Sequence, residues 1–269
     1  AMDCAKAMTF FAKGDAKLVA IPTTSGSGSE VTDFAILTHN KVKHPLVDKR
    51  LRPAMAILDS DLLQELPASL IADSGFDVLT HAVEAYVATE AGAFSDMLAQ
   101  EAFRSAYGAL PASFAGRKEV RLKVHQAATM AGMAFTEAGL GLCHAMAHSL
   151  GGMFHVAHGK LNAVLLPSVV ATNAHVAGAK YAQLARACGM GGTADTIAVR
   201  NLRNNLIRLR RELKLPETLA QAGIAPAALR SAMNDVVKAT LADPCCNTNP
   251  MKIEDFLVRR ILEEVTGRV

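Results

Sequence analysis

The pattern of apolar and polar positions changes character near residue 67. Upstream, short apolar runs are bounded by turn residues. LVAIP (18–22) stops at Pro22, a Thr/Ser/Gly tract follows, FAILT (34–38) precedes the polar HNK, and HPLVD and AMAILD are further short runs. Such runs between Gly, Pro and Asn predict strands joined by turns. The opening AMDCAKAMTFFAKGD mixes acids and lysines with apolar residues, which predicts an amphipathic helix and not a secretory leader. Beyond Pro67 the repeat becomes helical and Ala-rich, with helices expected over 68–88, 95–112, 119–137, 143–153 and 225–241. GMGGT (189–193) follows no strand signal and reads as a loop between helices, not a phosphate loop. The expected class is α/β plus all-α: an α/β piece over 1–67 and an all-helical domain over 68–269. Four or so strands in so small a piece would form an incomplete sheet with an exposed edge.

Composition narrows the function classes. Apolar residues make up 51% of the 269 and charged residues 20%, enough for a sizeable core. The net charge of +3 is interspersed, which argues against nucleic acid as a partner. The densest basic stretch, Arg200 to Arg211, lies in a helical pattern and reads as a solvated helix face. No uncharged run reaches the length of a membrane span. Five cysteines without framework spacing fit a reduced, cytoplasmic setting.

The candidate chemistry lies in the helical part. Asp77 and His81 in GFDVLTHAVEAY are four residues apart, one helical turn, so a carboxylate and an imidazole share a face. His144 and His148 in GLCHAMAHSLGG repeat that spacing, and His158 follows a Gly-Gly expected to end the helix and turn the chain back. Carboxylate with imidazole suits Fe²⁺, Zn²⁺ or Mn²⁺. HAMAH resembles the zinc-protease helix only superficially, because Ala145 stands where that motif needs Glu. Histidine pairs at this spacing also hydrogen-bond within ordinary cores, so spacing alone leaves the site open. PTTSGSGSE leaves a strand rich in hydroxyls and free N–H groups, which suits phosphate or ribose oxygens and equally an ordinary polar turn.

Those same stretches, GFDVLTHAVEAYVA and AGMAFTEAGLGLCHAMAHSLGGMFHVAHGKLNAVLLPSVVATN, resemble the group III, iron-containing alcohol dehydrogenases. IPTTSGSGSEVT resembles that family's nucleotide-binding loop and DPCCNTNPMKIED its C-terminal signature. The resemblance implies the remainder of a Rossmann-like nucleotide-binding domain followed by an all-helical, dehydroquinate synthase-like metal domain. It implies Asp77, His81, His144 and His158 as metal ligands, and His148 as a proton carrier between metal and nicotinamide. It places Thr23, Thr24, Thr32, Phe34, Lys43 and Leu62 at the dinucleotide, with Asp3 and Lys6 surviving from the pyrophosphate motif, and Phe135 and Cys245 at the alcohol pocket. The implied cofactors are Fe²⁺, with Zn²⁺ as the alternative, and NAD(H) or NADP(H). The implied partners are a small alcohol or aldehyde and a second copy of the chain. GLCHAMAH and HNKVKHPLV resemble the propanol and ethanolamine branches, which implies a short substrate and a bacterial microcompartment as a setting. Zinc-dependent polyol dehydrogenases, and a non-catalytic helical metal-binding module, are the competing readings.

Two positions depart from the family pattern. AMDCAKAMTF matches the stretch directly after the family's GGGS loop, in GGGS-x-x-D-x-A-K, and begins at the variable residues. The expectation is weak dinucleotide binding by residues 1–269, since each charge-assisted hydrogen bond to phosphate is worth about 1.5–3 kcal/mol. Ala157 stands where many members have Pro before the His-Gly pair, which is expected to loosen the backbone beside His158.

Overall fold

All strands in the described structure lie within the first 56 residues, and from Ala68 onward the regular structure is helical. The computed structural model describes residues 1–12, 17–39 and 42–267 and, within these, all side chains but those of 38, 39 and 42–45. Helix α1 (Met2–Phe11) precedes strand β1 (Val19–Ala20), the hairpin of β2 (Phe34–His39) and β3 (Val42–Val47), and β4 (Met55–Ala56). The strands do not form the single incomplete sheet expected. β1 pairs in parallel with β4 through Val19–Met55 and Ala20–Ala56, while β2 pairs antiparallel with β3 from Phe34–Val47 onward. The reason lies in the intervening Thr/Ser/Gly tract, which leaves β1 and packs on a helix. Gly28, at φ 62°, lies so close to Gly132 that a Cβ on it would sit 2.6 Å from the Gly132 Cα. Only glycine on both sides permits that approach. The expected turn at Asn40 and Lys41 lies outside the described residues.

The helical part comprises α2 (Ala68–Val87), α3 (Ala93–Phe114), α4 (Arg121–Ala138), α5 (Leu142–Phe154), α6 (His158–Ala187), α7 (Asp195–Glu212), α8 (Pro226–Leu241) and α9 (Asp255–Thr266). Alanines on the inner faces of α2, α3 and α4, including Ala82, Ala102, Ala106, Ala127 and Ala131, let the three helices approach closely. Phe76 and Phe103 fill the space between and are fully buried, each worth about 1.5–3 kcal/mol.

Two expectations about helix ends need correction. Gly151 and Gly152 do not end α5; the helix runs through them to Phe154, and the left-handed residue that stops it is His155 (φ 55°, ψ 32°), whose N–H still reaches the Gly151 carbonyl. Interior glycine weakens a helix by about 1 kcal/mol but removes no hydrogen bond, so packing decides. Ala157, the N-cap of α6, has φ −58°, the value proline imposes, so the departure from Pro leaves the backbone in place.

Helix α6 is long and apolar enough by composition to cross a membrane, contrary to the sequence reading, yet 72% of that window is buried inside the protein. It packs against α2, α5, α7 and α9 as the central helix. Pro167 interrupts its hydrogen-bond ladder, because proline cannot donate to the Ala163 carbonyl four residues back. The Arg210 guanidinium donates to that carbonyl instead, at 3.3 Å, and Arg203 donates to the Pro167 carbonyl at 3.2 Å. The Arg200–Arg211 stretch is therefore not a uniformly solvated face: Arg210 is only 6% exposed.

Replacing Arg210 with Met should leave the Ala163 carbonyl buried and unpaired, lowering stability in urea unfolding by about 1–3 kcal/mol. Arg200→Met, on the exposed side, should stay within about 0.5 kcal/mol.

Candidate metal centre

Asp77 and His81 project from one face of α2, as their spacing requires. His144 and His148 project from α5, and His158 opens α6. The two later helices are brought to Asp77 by specific contacts. A Cβ on Gly159 would lie 1.9 Å from the Asp73 carbonyl oxygen, so the first turn of α6 rests directly on α2, one turn before Asp77. His158 Nε2 thereby comes to 3.6 Å from Asp77 Oδ1, and His144 Nε2 to 3.7 Å from the same oxygen.

Glu84, two turns along α2 from Asp77, sets the position of α5. Its carboxylate accepts from the N–H groups of Gly141 (3.1 Å), Cys143 (2.6 Å) and His144 (3.3 Å), while Asn249 Oδ1 accepts from Leu142 N–H at 3.1 Å. All four donors that open the helix are thus satisfied, and a negative charge sits at the positive end of its dipole. The same carboxylate accepts from His144 Nδ1 at 2.6 Å, which fixes the ring and leaves Nε2 facing Asp77.

The donor set fits a divalent metal. Asp77, His144 and His158 offer ligand atoms that all lie within 4.8 Å of one another. Burial works to raise the Asp77 pKa, but the surrounding imidazoles outweigh it and hold the carboxyl well below its usual range, ionised and ready to bind a cation. His81 is brought to the cluster but not onto the convergent point. Its ring stacks on His144 at 4.5 Å and 19°, and its buried Nδ1 has no hydrogen-bond partner. Burial pushes its pKa down to about 3, so the ring is neutral with a lone pair to give. Asn162 holds Asp77 in place, donating to Oδ1 at 2.6 Å. His148 Nδ1 is 2.9 Å from Asp243 Oδ2. An ionised carboxylate can only accept, so Nδ1 carries the proton and Nε2 is left with its lone pair.

Sequence reasoning missed Glu84, Asn162 and Asp243. Helical spacing held the signal for two of them: Glu84 is seven residues from Asp77, and Asn162 four from His158. Asp243 carried no such signal, since it meets His148 across the fold.

The expected dinucleotide residues divide. Thr23 is exposed, Thr24 half-buried and Leu62 46% exposed. Asp3 takes a weak bond from Ser29 at 3.4 Å. Lys6 and Thr32 are instead turned inward: both are fully buried, and the Lys6 ammonium donates to Thr32 O (2.8 Å), Thr32 Oγ1 (2.9 Å) and Phe34 O (3.0 Å). Burial without these acceptors would be costly for an ammonium, so the pair ties α1 to β2 and is not free for a phosphate. The side chain of Lys43 lies outside the described set. Phe135 is only 3% exposed. It is buried between Phe34 (5.8 Å) and His81 (4.5 Å), so a continuous run of rings links β2 to the candidate metal cluster. Cys245 is half-buried beside His148.

Burial opposes the charge on His144, but the neighbouring carboxylates of Asp77 and Glu84 raise its pKa to about 9. A raised value contributes stability that is complete below pH 6.5 and lost as pH rises through about 9. Metal-free Glu84→Gln should therefore be less stable than the parent by about 1–3 kcal/mol near pH 6.5 in urea unfolding, the gap narrowing by about pH 10. A gap independent of pH would show that the capping bonds alone matter.

Residues 71–266 match the family described as Fe-containing alcohol dehydrogenase family, C-terminal, and residues 1–60 match iron-containing alcohol dehydrogenase. The chain is 37% identical to the NADPH-dependent butanol dehydrogenase of Clostridium saccharobutylicum over 93% of its own length and 65% of that protein's. It is 40% identical to the 1-propanol dehydrogenase PduQ of Salmonella typhimurium, over 98% of this chain and 75% of the relative. The iron-containing alcohol dehydrogenase of Thermococcus thioreducens superposes with a TM-score of 0.90 at 33% identity, over 98% of this chain and 74% of that one. The chain thus spans 65% of the first of these proteins and about three quarters of the others, and by sequence and fold it belongs to the iron-containing alcohol dehydrogenase family.

Proposed function

We propose that this chain carries the metal centre and part of the dinucleotide site of an NAD(P)-dependent alcohol dehydrogenase that interconverts a short primary alcohol and its aldehyde. The observation that carries the reading is the convergence of Asp77, His144 and His158, with Glu84 orienting His144 from behind. Asp77, His144 and His158 would hold Fe²⁺, and His81 would join them by turning its stacked ring. The metal would supply Lewis acidity toward an alcohol or carbonyl oxygen, and the nicotinamide would accept or donate the hydride.

The remaining work falls to the chain's own side chains. Asp243 holds the His148 proton on Nδ1, so Nε2 can take up or release the proton of the reacting hydroxyl. Cys245 stands half-buried beside His148. Thr23, Thr24, Phe34 and Leu62 would carry the dinucleotide, with residues 1–67 and 68–269 acting as its two supporting parts. The names of the relatives, butanol and 1-propanol dehydrogenases, favour a short alcohol. Zn²⁺ in place of Fe²⁺, and NADP(H) in place of NAD(H), are the alternatives that metal analysis and assays with each nucleotide separate. A homodimer is the expected assembly.

Protein purified anaerobically should retain Fe²⁺ on elemental analysis, and His144→Ala or His158→Ala should retain none. Retention in both variants would sink the ligand assignment. His148→Ala should keep its metal while 1-propanol oxidation, followed by nicotinamide absorbance with NAD⁺ and with NADP⁺, slows by about 10²–10⁴-fold. Unchanged turnover would remove His148 from the proton path.

A further inference from the structure

A second group of metal-ligating side chains stands beside the first. Donor atoms of His148, Asp243 and Cys245 all lie within 4.8 Å of one another. The group is built from two elements that the tertiary fold brings together. His148 comes from α5, while Asp243 and Cys245 flank the start of the short 3₁₀ turn Pro244–Thr248. Asp243 is anchored: its Oδ1 accepts from the Cys245 N–H at 2.9 Å, so its Oδ2 is left for His148 at 2.9 Å. The Cys245 sulfur lies within 4.8 Å of the donor atoms that His148 and Asp243 offer. The neighbouring Cys246 is turned away, its Sγ donating to the Thr240 carbonyl at 3.1 Å, so a single sulfur faces the group.

The three donors are an imidazole nitrogen, a carboxylate oxygen and a thiol sulfur. A tetrahedral Zn²⁺ with bonds of about 2.0–2.3 Å keeps its ligands roughly 3.3–3.8 Å apart, so closure from the present spread needs about 1 Å of side-chain movement. The cluster is half-buried, with the His148 side chain 28% exposed and Asp243 15%, so a cation can reach it and water can take the fourth position. Sulfur also sets the preference. A thiolate-containing set selects borderline and soft cations, whereas Asp77, His144 and His158 offer no sulfur.

We propose that His148, Asp243 and Cys245 form a second, thiolate-containing site for a divalent cation of the zinc class, separate from the Asp77 centre. Binding is balanced: one dication enters, the Nδ1 proton of His148 moves to Nε2 so that a neutral imidazole binds through Nδ1, one proton leaves Sγ of Cys245, and Asp243 contributes its existing charge. The same exchange takes His148 out of proton transfer, so an excess of zinc would silence the protein while leaving the first centre filled. The site stands or falls on its own ligands, whatever reaction the first centre serves.

Co²⁺ titration of the metal-free protein reads the two sites apart, because only sulfur ligation produces a thiolate-to-Co²⁺ charge-transfer band in the near ultraviolet. The wild type should bind two equivalents, one of them with the band. Cys245→Ser and Cys245→Ala should lose the band and weaken the second equivalent at least tenfold. Cys246→Ser should keep both. His144→Ala should lose the first equivalent yet retain the band, which separates failure of this site from failure of the metal centre. A wild type that saturates without a sulfur band, or a band that survives in both Cys245 variants, would overturn the proposal.

Discussion

The buried carboxylate of Glu84 is the interaction on which the rest of the site depends. It sits on α2, 2% exposed, and receives three backbone N–H groups from the start of α5 together with His144 Nδ1. A buried charge is tolerable only when its hydrogen-bonding capacity is filled, and here the helix end that fills it also carries His144. One group therefore sets where α5 begins, how it rotates and which nitrogen of His144 faces Asp77. Truncating it would leave a helix start without its acceptors and His144 without the partner of its Nδ1.

Close backbone contacts supply the rest of the geometry. The Gly159 contact with the Asp73 carbonyl lets α6 rest on α2, and the Gly28–Gly132 contact lets the loop after β1 rest on α4. The first fixes His158 at Asp77, and the second leads into Lys6, Thr32 and Phe34, from which the stacked rings of Phe135, His81 and His144 run to the metal cluster. His81 is the one expected ligand whose nitrogens stand off the convergent point. The Pro167 break in α6 is compensated from α7 by Arg210, which keeps the central helix continuous below the site.

The sequence by itself determined the helical stretches, the one-turn spacing that puts Asp77 with His81 and His144 with His148, and a resemblance specific enough to name a family. These come from local rules: a 3.6-residue period and residue types whose chemistry does not depend on neighbours. Tertiary structure decided what local rules cannot reach. Glu84 sits at α5 and Asp243 at His148 because of crossings between segments 57 to 95 residues apart. Lys6 and Thr32, polar and chemically fit for a phosphate, satisfy one another in the interior. Gly151 and Gly152 stay helical because packing outweighs a propensity of about 1 kcal/mol. Arg210 is buried because a proline on another helix freed a carbonyl for it. In each case the deciding partner is distant in the chain, and a hydrogen bond or a van der Waals contact, unlike a helical period, leaves no mark on the residues in between.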